Sequence, residues 1–490
     1  MKLRWALGIL LAAAIARLWI MPLPSSFWVD EMATEFVVHY GGNDPSLQVA
    51  PQVPQSIYYH LPRLAERIFG TSEVVDRLPS FLALAFALWI ITRIGARLIH
   101  PRAGWITAFA CLSLGGFNYQ AADARPYALG TLVAALAFWF LIRWLDSAAW
   151  PPAVGFIAAG ALLWRVHLIF WPLYLFFAMY AVWRIARRDT PVPWLAAGAV
   201  FAAIALLLLP VLKNAIELNR GAGAHVVADK PSLLELFNQL KLGLATAFFL
   251  AGALLRRVFS WPRTLTRPEW TPILALWLTQ PLCLFAFSWV TGNSVFVQRY
   301  LFVTVWGAAL LAVATLALFL PDSAWRPAAA VAGLAILILV GHWRHLQIPH
   351  HPSDWREAAR AVNEHATEQS VPVICPSPFV EAQWPVWRPG YPVRTFLYSH
   401  LLVYRLTGDI YTFPFRTSPE AEQFAAALAS ERLADRNRFV VYGGDVNVHL
   451  WRDWFRKRSE LAGWIVKDLG PFGDVDAILF EKPTFWQARR

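Results

Sequence analysis

A few short stretches gather ionisable side chains of the types needed for proton and phosphate chemistry. Asp30 and Glu31 stand in Ser25-Ser26-Phe27-Trp28-Val29-Asp30-Glu31-Met32, beside two aromatic residues and just beyond an apolar run of helical length. A partly desolvated carboxylate in that setting is suited to take the proton of an acceptor hydroxyl. A second reading is equally open, a pair of acids in the first turn of a helix near its positive end. In Asp123-Ala124-Arg125-Pro126-Tyr127 the proline suits a first helical position, which leaves Asp123 and Arg125 in the preceding turn. The planar fork of Arg125 can hold a phosphate while Asp123 orients it; the alternative is a local ion pair without a ligand. His167 follows Arg165-Val166, and Gln298-Arg299-Tyr300 opens a later apolar run. A lone histidine at a helix end is more often capped or solvated than catalytic.

The elements that must position these residues are membrane helices. Of 490 residues, 57% are hydrophobic and 15% charged, and the mean hydropathy is +0.44; soluble domains carry about a quarter charged residues. Disorder is excluded, and a water-soluble enzyme does not fit. Runs of about 18 or more apolar residues, the length of a bilayer crossing, occur at Ala103–Ala122, Pro191–Leu212, Trp270–Gln298 and Tyr300–Leu320. Shorter or less clean runs are Trp5–Leu23, Leu78–Leu98, Pro126–Ile142, Ser147–Trp164, Val166–Trp183, Leu242–Leu255 and Pro327–Trp343. The expectation is about eleven crossings. Arg17 interrupts the first run and Met21-Pro-Leu-Pro offers no small-residue cleavage site, so it reads as a retained helix.

Net charge supplies the orientation. The formal charge is +11, from 43 Lys plus Arg against 32 Asp plus Glu. From Leu346 onward the sequence holds 17 of each sign, so the whole excess lies in residues 1–345. There the basic residues punctuate apolar runs, which argues for membrane topology and against nucleic acid. With Lys2 and Arg4 inside, alternate connections carry Arg93, Arg97 and Arg102; Arg143; Arg184, Arg187 and Arg188; Arg256, Arg257, Arg263 and Arg267; and Arg326. That assignment leaves a long outer loop at 24–77, and it puts Asp30, Glu31, Asp123, Arg125, His167 and Arg299 together on the outer face. Acids and bases at one interface suit a reaction between a membrane-anchored phosphate and a hydroxyl acceptor.

The remainder, 346–490, reads as a charge-balanced extracytoplasmic α/β domain. Ser353 reads as the cap of an amphipathic helix from Asp354, and Val371-Pro-Val-Ile-Cys375 as a buried strand. Ser418-Pro419 opens a helix to about Leu433, Arg438 to Gly444 forms a strand ending in a turn, His449–Leu461 a helix, and Ala477–Phe480 a last strand. Helices alternating with strands imply an α/β layer. Gly443-Gly444 is too little for a phosphate loop, and the three cysteines give no disulfide framework.

Taken in order, several stretches resemble the GT-C membrane glycosyltransferases. Within that group the likeness is to bacterial relatives of the dolichyl-phosphate-mannose protein mannosyltransferases and of the aminoarabinose transferase acting on lipid A. The stretches are Trp28-Val29-Asp30-Glu31, Pro54-Gln55-Ser56-Ile57-Tyr58-Tyr59-His60, Phe69 to Glu73 with Asp76-Arg77-Leu78-Pro79-Ser80, Asp123 to Tyr127, His167, and Gln298-Arg299-Tyr300-Leu301. The resemblance implies a multi-pass α-helical membrane protein of the bacterial cytoplasmic membrane, N-terminus inside. It implies transfer of a sugar from a polyprenyl-phosphate donor to a glycan, lipid or protein acceptor on the outer face, with inversion. Asp30 would then be the catalytic base, assisted by Glu31. Arg125 and Arg299 would hold the donor phosphate, with Asp123, Tyr127, His167, Tyr300, Tyr58 and Tyr59 lining or ordering the pocket. No His and Asp cluster at metal spacing accompanies Asp30, which leaves a divalent cation open without indicating one. A secondary transporter would show polar or broken helices at mid-membrane and internal repeats, features not visible here. A flippase or polysaccharide polymerase handling lipid-linked glycans stays open as the alternative.

Overall fold

The computed structural model describes residues 2–221, 229–262, 266–341, 347–366 and 370–483. The expected domain boundary at 345/346, Arg263 and Trp343 lie outside the described residues. The helices, in chain order, begin with α1 (Lys2–Ile15), α2 (Val29–Tyr40), α3 (His60–Phe69), α4 (Glu73–Leu98), α5 (Gly104–Leu112), α6 (Gly115–Tyr119) and α7 (Tyr127–Ser147). Next come α8 (Trp150–Val166), α9 (Pro172–Ala186), α10 (Trp194–Gly221), α11 (Leu233–Gln239), α12 (Leu242–Val258) and α13 (Trp270–Thr291). A 3₁₀ segment, Gln298–Thr304, precedes α14 (Trp306–Ala317) and α15 (Trp325–Val340). Helices α16 (Trp355–His365), α17 (Ser399–Val403), α18 (Pro419–Leu428) and α19 (Asp445–Arg456) alternate with strands β1 (Pro372–Pro376), β2 (Asp409–Phe413), β3 (Arg438–Gly444), β4 (Ile465–Asp468) and β5 (Val475–Glu481).

Contacts divide the chain into two units. One joins Met1–Leu23 to Gln55–Ile348, and the other joins Pro24–Pro54 to Pro349–Arg490. The sequence suggested one cut; the loop expected at 24–77 is instead split at Pro54, and its first part folds with the C-terminal residues.

Among the described residues of the first unit, six helical segments are long and apolar enough to cross a bilayer, and two bent pairs raise the number to eight. That differs from about eleven for a physical reason. The runs Ala103–Ala122, Ser147–Trp164 and Pro327–Trp343 yield α5, α8 and α15, of 9, 17 and 16 residues. The first of these turns out of helix at Leu114, whose backbone is extended. Arg97 and Arg184, both assigned to inner connections, meet at Asp146 at 2.9 and 3.0 Å, and Arg97 also reaches Glu269 at 2.6 Å. Those bonds tie the ends of α4, α7, α9 and α13.

The second unit is a five-stranded sheet in the order β2-β1-β3-β5-β4. Strands β1, β2 and β3 are parallel and β5 runs antiparallel to β3 and β4. Trp355 of α16 and Trp451 of α19 are buried on it, and Phe439 stacks on Phe480 at 4.5 Å. Asp354, one residue beyond the expected Ser353, caps α16 by accepting from Glu357 N at 3.1 Å. Helix α19 begins at Asp445, earlier than expected, and β2 and β4 are additions to the sequence reading. Helix α2 is built into this unit. Phe27 N donates to Tyr404 Oη at 2.8 Å, His350 N to Ser25 Oγ at 3.0 Å and Phe396 N to Ser46 Oγ at 3.0 Å.

Candidate functional site

In the first unit the chain brings Tyr58, Arg125, Tyr127, His167, Arg299 and Tyr300 into one cluster, starting from the turn before α7. Asp123 is extended and buried, and Arg125 N donates to Asp123 O at 2.7 Å, so the turn is tight before Pro126 caps α7. Ser80 of α4 braces it by donating to Arg125 O at 3.3 Å, and Ser80 itself shares a hydrogen bond of 2.8 Å with Tyr58 Oη. Tyr58 is fully buried, with the Tyr59 ring 6.1 Å away. Ser56 orders their turn by accepting from Tyr58 N at 3.1 Å, and it donates to Val166 O at 2.6 Å. The 56–59 turn is thereby fixed to the residue before His167.

His167 ends α8 with an extended backbone, and its Nδ1 accepts from Ile169 N at 3.3 Å. An Nδ1 that accepts leaves the proton of the neutral ring on Nε2. Gly130 of α7 makes the approach possible, because a Cβ there would stand 2.2 Å from Phe170 Cε2. Without that side chain the 168–170 turn seats on α7, and the His167 ring lies 5.8 Å from Tyr127. Gln280 of α13 completes the frame by donating to Ile169 O at 3.2 Å and Tyr300 O at 3.1 Å.

Three rings form a triangle: Tyr127 to His167, His167 to Tyr300 at 5.6 Å and Tyr127 to Tyr300 at 6.4 Å. The Arg299 guanidinium sits 5.5 Å from the centre of the Tyr300 ring, and the charges of both Arg125 and Arg299 reach His167. Two cations around a ring that donates through Nε2 make an anion-binding wall, suited to a phosphate and to charge growing on its oxygens. The stretch of α4 from Ser80 to Arg97 is roughly 25 Å long at ~1.5 Å per residue, close to a hydrocarbon core of about 30 Å. This cluster and the Arg97–Asp146 network thus mark opposite ends of α4.

Asp30 and Glu31 belong to the second unit. They occupy the first turn of α2, where Glu31 Oε2 accepts from Trp28 N at 3.2 Å and Trp28 stacks on His351 at 5.0 Å. Glu31 is fully buried and Asp30 partly so. The helix-terminus reading is therefore realised by Glu31, whose carboxylate closes the turn that carries Asp30. Sequence reasoning missed Ser56, Ser80 and Gln280 as supports. The one amide in the middle of the run Trp270–Gln298, well before Asn293 and Gln298 at its end, was the signal for Gln280, since a polar group at membrane depth needs a task.

Residues 56–212 match the family model for dolichyl-phosphate-mannose-protein mannosyltransferase, which is less than half of the chain. A comparison with curated protein sequences gives no match. Among solved structures the chain is similar to ArnT from Cupriavidus metallidurans in the apo state, with a TM-score of 0.57 and 11% identity, covering 96% of this chain and 97% of that one. The same protein bound to undecaprenyl phosphate gives 0.55 at 11% identity and the same coverage. The arabinosyltransferase EmbB from Mycobacterium smegmatis gives 0.39 at 15% identity over 64% of this chain and 31% of that one. The chain therefore carries the fold of the GT-C membrane glycosyltransferases, with a segment at 56–212 that matches the mannosyltransferase family model.

Proposed function

We propose that the protein transfers a sugar from a polyprenyl-phosphate donor to an acceptor hydroxyl at the extracytoplasmic face of a bacterial cytoplasmic membrane. The observation that carries this reading is the pairing of Arg125 and Arg299 around the Tyr127–His167–Tyr300 triangle. It is an anion site held by backbone bonds at one end of a membrane helix. The fold is shared with ArnT, which has been solved with undecaprenyl phosphate, and a lipid of that class suits this cluster.

In the reaction, the acceptor oxygen forms a bond to the anomeric carbon as the bond from that carbon to the phosphate oxygen breaks. Asp30 takes the acceptor proton, and the electron pair of the broken bond leaves on the lipid phosphate. Arg125 and Arg299 stabilise that growing charge, and His167 donates from Nε2. Asp123, Tyr127, Tyr300, Tyr58 and Tyr59 line or order the donor pocket. Glu31 is a positioning residue that holds the first turn of α2.

The test is Asp30→Asn in membranes supplied with a radiolabelled polyprenyl-phosphate sugar pool. Expression and insertion are expected to be normal and transfer lost, because the amide accepts no proton. Transfer at the wild-type rate would refute Asp30 as the base.

A further inference from the structure

The segment Gln298–Thr304, which carries Arg299 and Tyr300, meets α14 at a bend of 51°. A helix broken there does not satisfy all its carbonyls along its own ladder, and at membrane depth such groups need other partners. Two glutamines provide them. Gln280 holds Tyr300 O. Gln120 holds Phe302 O, to which its Nε2 donates at 3.3 Å while also donating to Gly116 O at 3.0 Å.

Gln120 is fully buried, and Thr131 Oγ1 of α7 donates to its Oε1 at 2.6 Å. Carbonyl oxygens only accept, so the amide nitrogen must face Gly116 and Phe302 and the amide oxygen must face the Thr131 hydroxyl. The hydroxyl thus fixes which way the amide points. The Phe302 ring is seated as closely as its carbonyl. A Cβ at Gly116 would stand 2.6 Å from Phe302 Cε1, and the ring lies edge-on to Tyr127 at 6.4 Å. Thr131 is one helical turn beyond Tyr127 on the same face of α7, and Phe302 is one 3₁₀ turn beyond Arg299. The path Thr131–Gln120–Phe302 therefore joins the helix that carries Tyr127 to the segment that carries Arg299.

We propose that Gln120 is a positioning residue for the donor phosphate. By holding Phe302 O it sets where Arg299 stands beside the Tyr127–His167–Tyr300 triangle, and so how tightly the anion is bound. This rests on the function proposed above. Without the amide, Phe302 O keeps only its bond from Val305 N, at 3.3 Å, among the described residues, and the segment is free to shift.

The full-length protein in phosphatidylcholine nanodiscs is titrated with radiolabelled farnesyl phosphate, with farnesol as the uncharged control, as wild type, Gln120→Leu, Arg299→Ala and the two substitutions combined. Gln120→Leu is expected to weaken farnesyl phosphate binding about three- to tenfold, the scale of one hydrogen bond lost from a site, and to leave farnesol binding unchanged. Because Gln120 acts through Arg299, the double variant should match Arg299→Ala to within about twofold, whereas independent sites would multiply their losses. Thr131→Val removes only the hydroxyl that orients the amide and should give a smaller loss in the same direction, with Thr131→Ser close to wild type. That pair carries the test if Gln120→Leu fails to insert. Wild-type affinity in Gln120→Leu and Thr131→Val, or losses that multiply in the double variant, would overturn this role for Gln120 and leave the donor site standing. A wild type that binds farnesyl phosphate no better than farnesol, or an Arg299→Ala variant that binds it as wild type does, would sink the anion site and this inference together.

Discussion

Lowering the pH from 6.5 to 4 should destabilise the second unit through His400, and His400→Phe should remove that part of the acid sensitivity. His400 is fully buried among Trp355, Tyr398 and Tyr442, with ring centres 5.2, 6.1 and 6.2 Å away. Neither ring nitrogen has a hydrogen-bond partner among the described residues. Burial holds the imidazole neutral and pushes its pKa from 6.5 down to about 3. The folded state therefore refuses a proton that the unfolded chain accepts below pH 6.5. Stability is full above that pH and falls as the pH drops toward 3, by about 1.4 kcal/mol per unit. At pH 4 the loss is roughly 3 kcal/mol, a large share of a domain stability of about 5–15 kcal/mol. Because α17, which carries His400, packs on α2, the turn bearing Asp30 should loosen with it. Amide hydrogen exchange of the full-length protein in detergent, followed at β1, β3 and β5 across this pH range, reads the effect. An equal loss of protection in His400→Phe would refute the reasoning and move the acid sensitivity to other groups.

Gly130→Leu should displace the 168–170 turn, since even a Cβ would meet Phe170 at 2.2 Å. A cost of about 1–3 kcal/mol is expected from such overpacking, seen as a lower thermal midpoint, and an unchanged midpoint would mean that the turn yields freely. Arg299→Ala should raise the KM for the lipid donor about tenfold or more with the acceptor KM unchanged, as expected for a lost charge-assisted bond. Partial rescue by Arg299→Lys would mark the loss as one of charge, while equal effects on both substrates would count against a donor role.

Much of the first unit was legible because membrane helices announce themselves by length and composition. The runs Leu78–Leu98 and Pro126–Ile142 correspond to α4 and α7. Local chemistry was equally readable in the second unit. Ser418 caps α18 by accepting from Ala421 N at 3.2 Å, with Pro419 in the first turn. The misses have physical causes. Strand β4 is largely exposed, so it carries no buried-strand pattern, and β2 is a short edge strand whose first residues are not buried. Expected crossings came out short because apolar composition sets where a segment can be buried, not where its backbone must turn.

Residue type and order alone marked Asp123, Arg125, His167 and Arg299, since few ionisable groups stand in so apolar a chain and the basic loops sort them to one face. Only the tertiary structure decided which of them meet. The ring triangle depends on Gly130 admitting Phe170 and on Gln280 joining two turns over 100 residues apart in sequence. Only the fold, too, assigned residues 24–54 to the C-terminal unit and gave the Glu31 carboxylate its capping bond. Such outcomes rest on packing and hydrogen bonds between distant segments. A one-dimensional pattern states the chemistry available but not the partner each group finds.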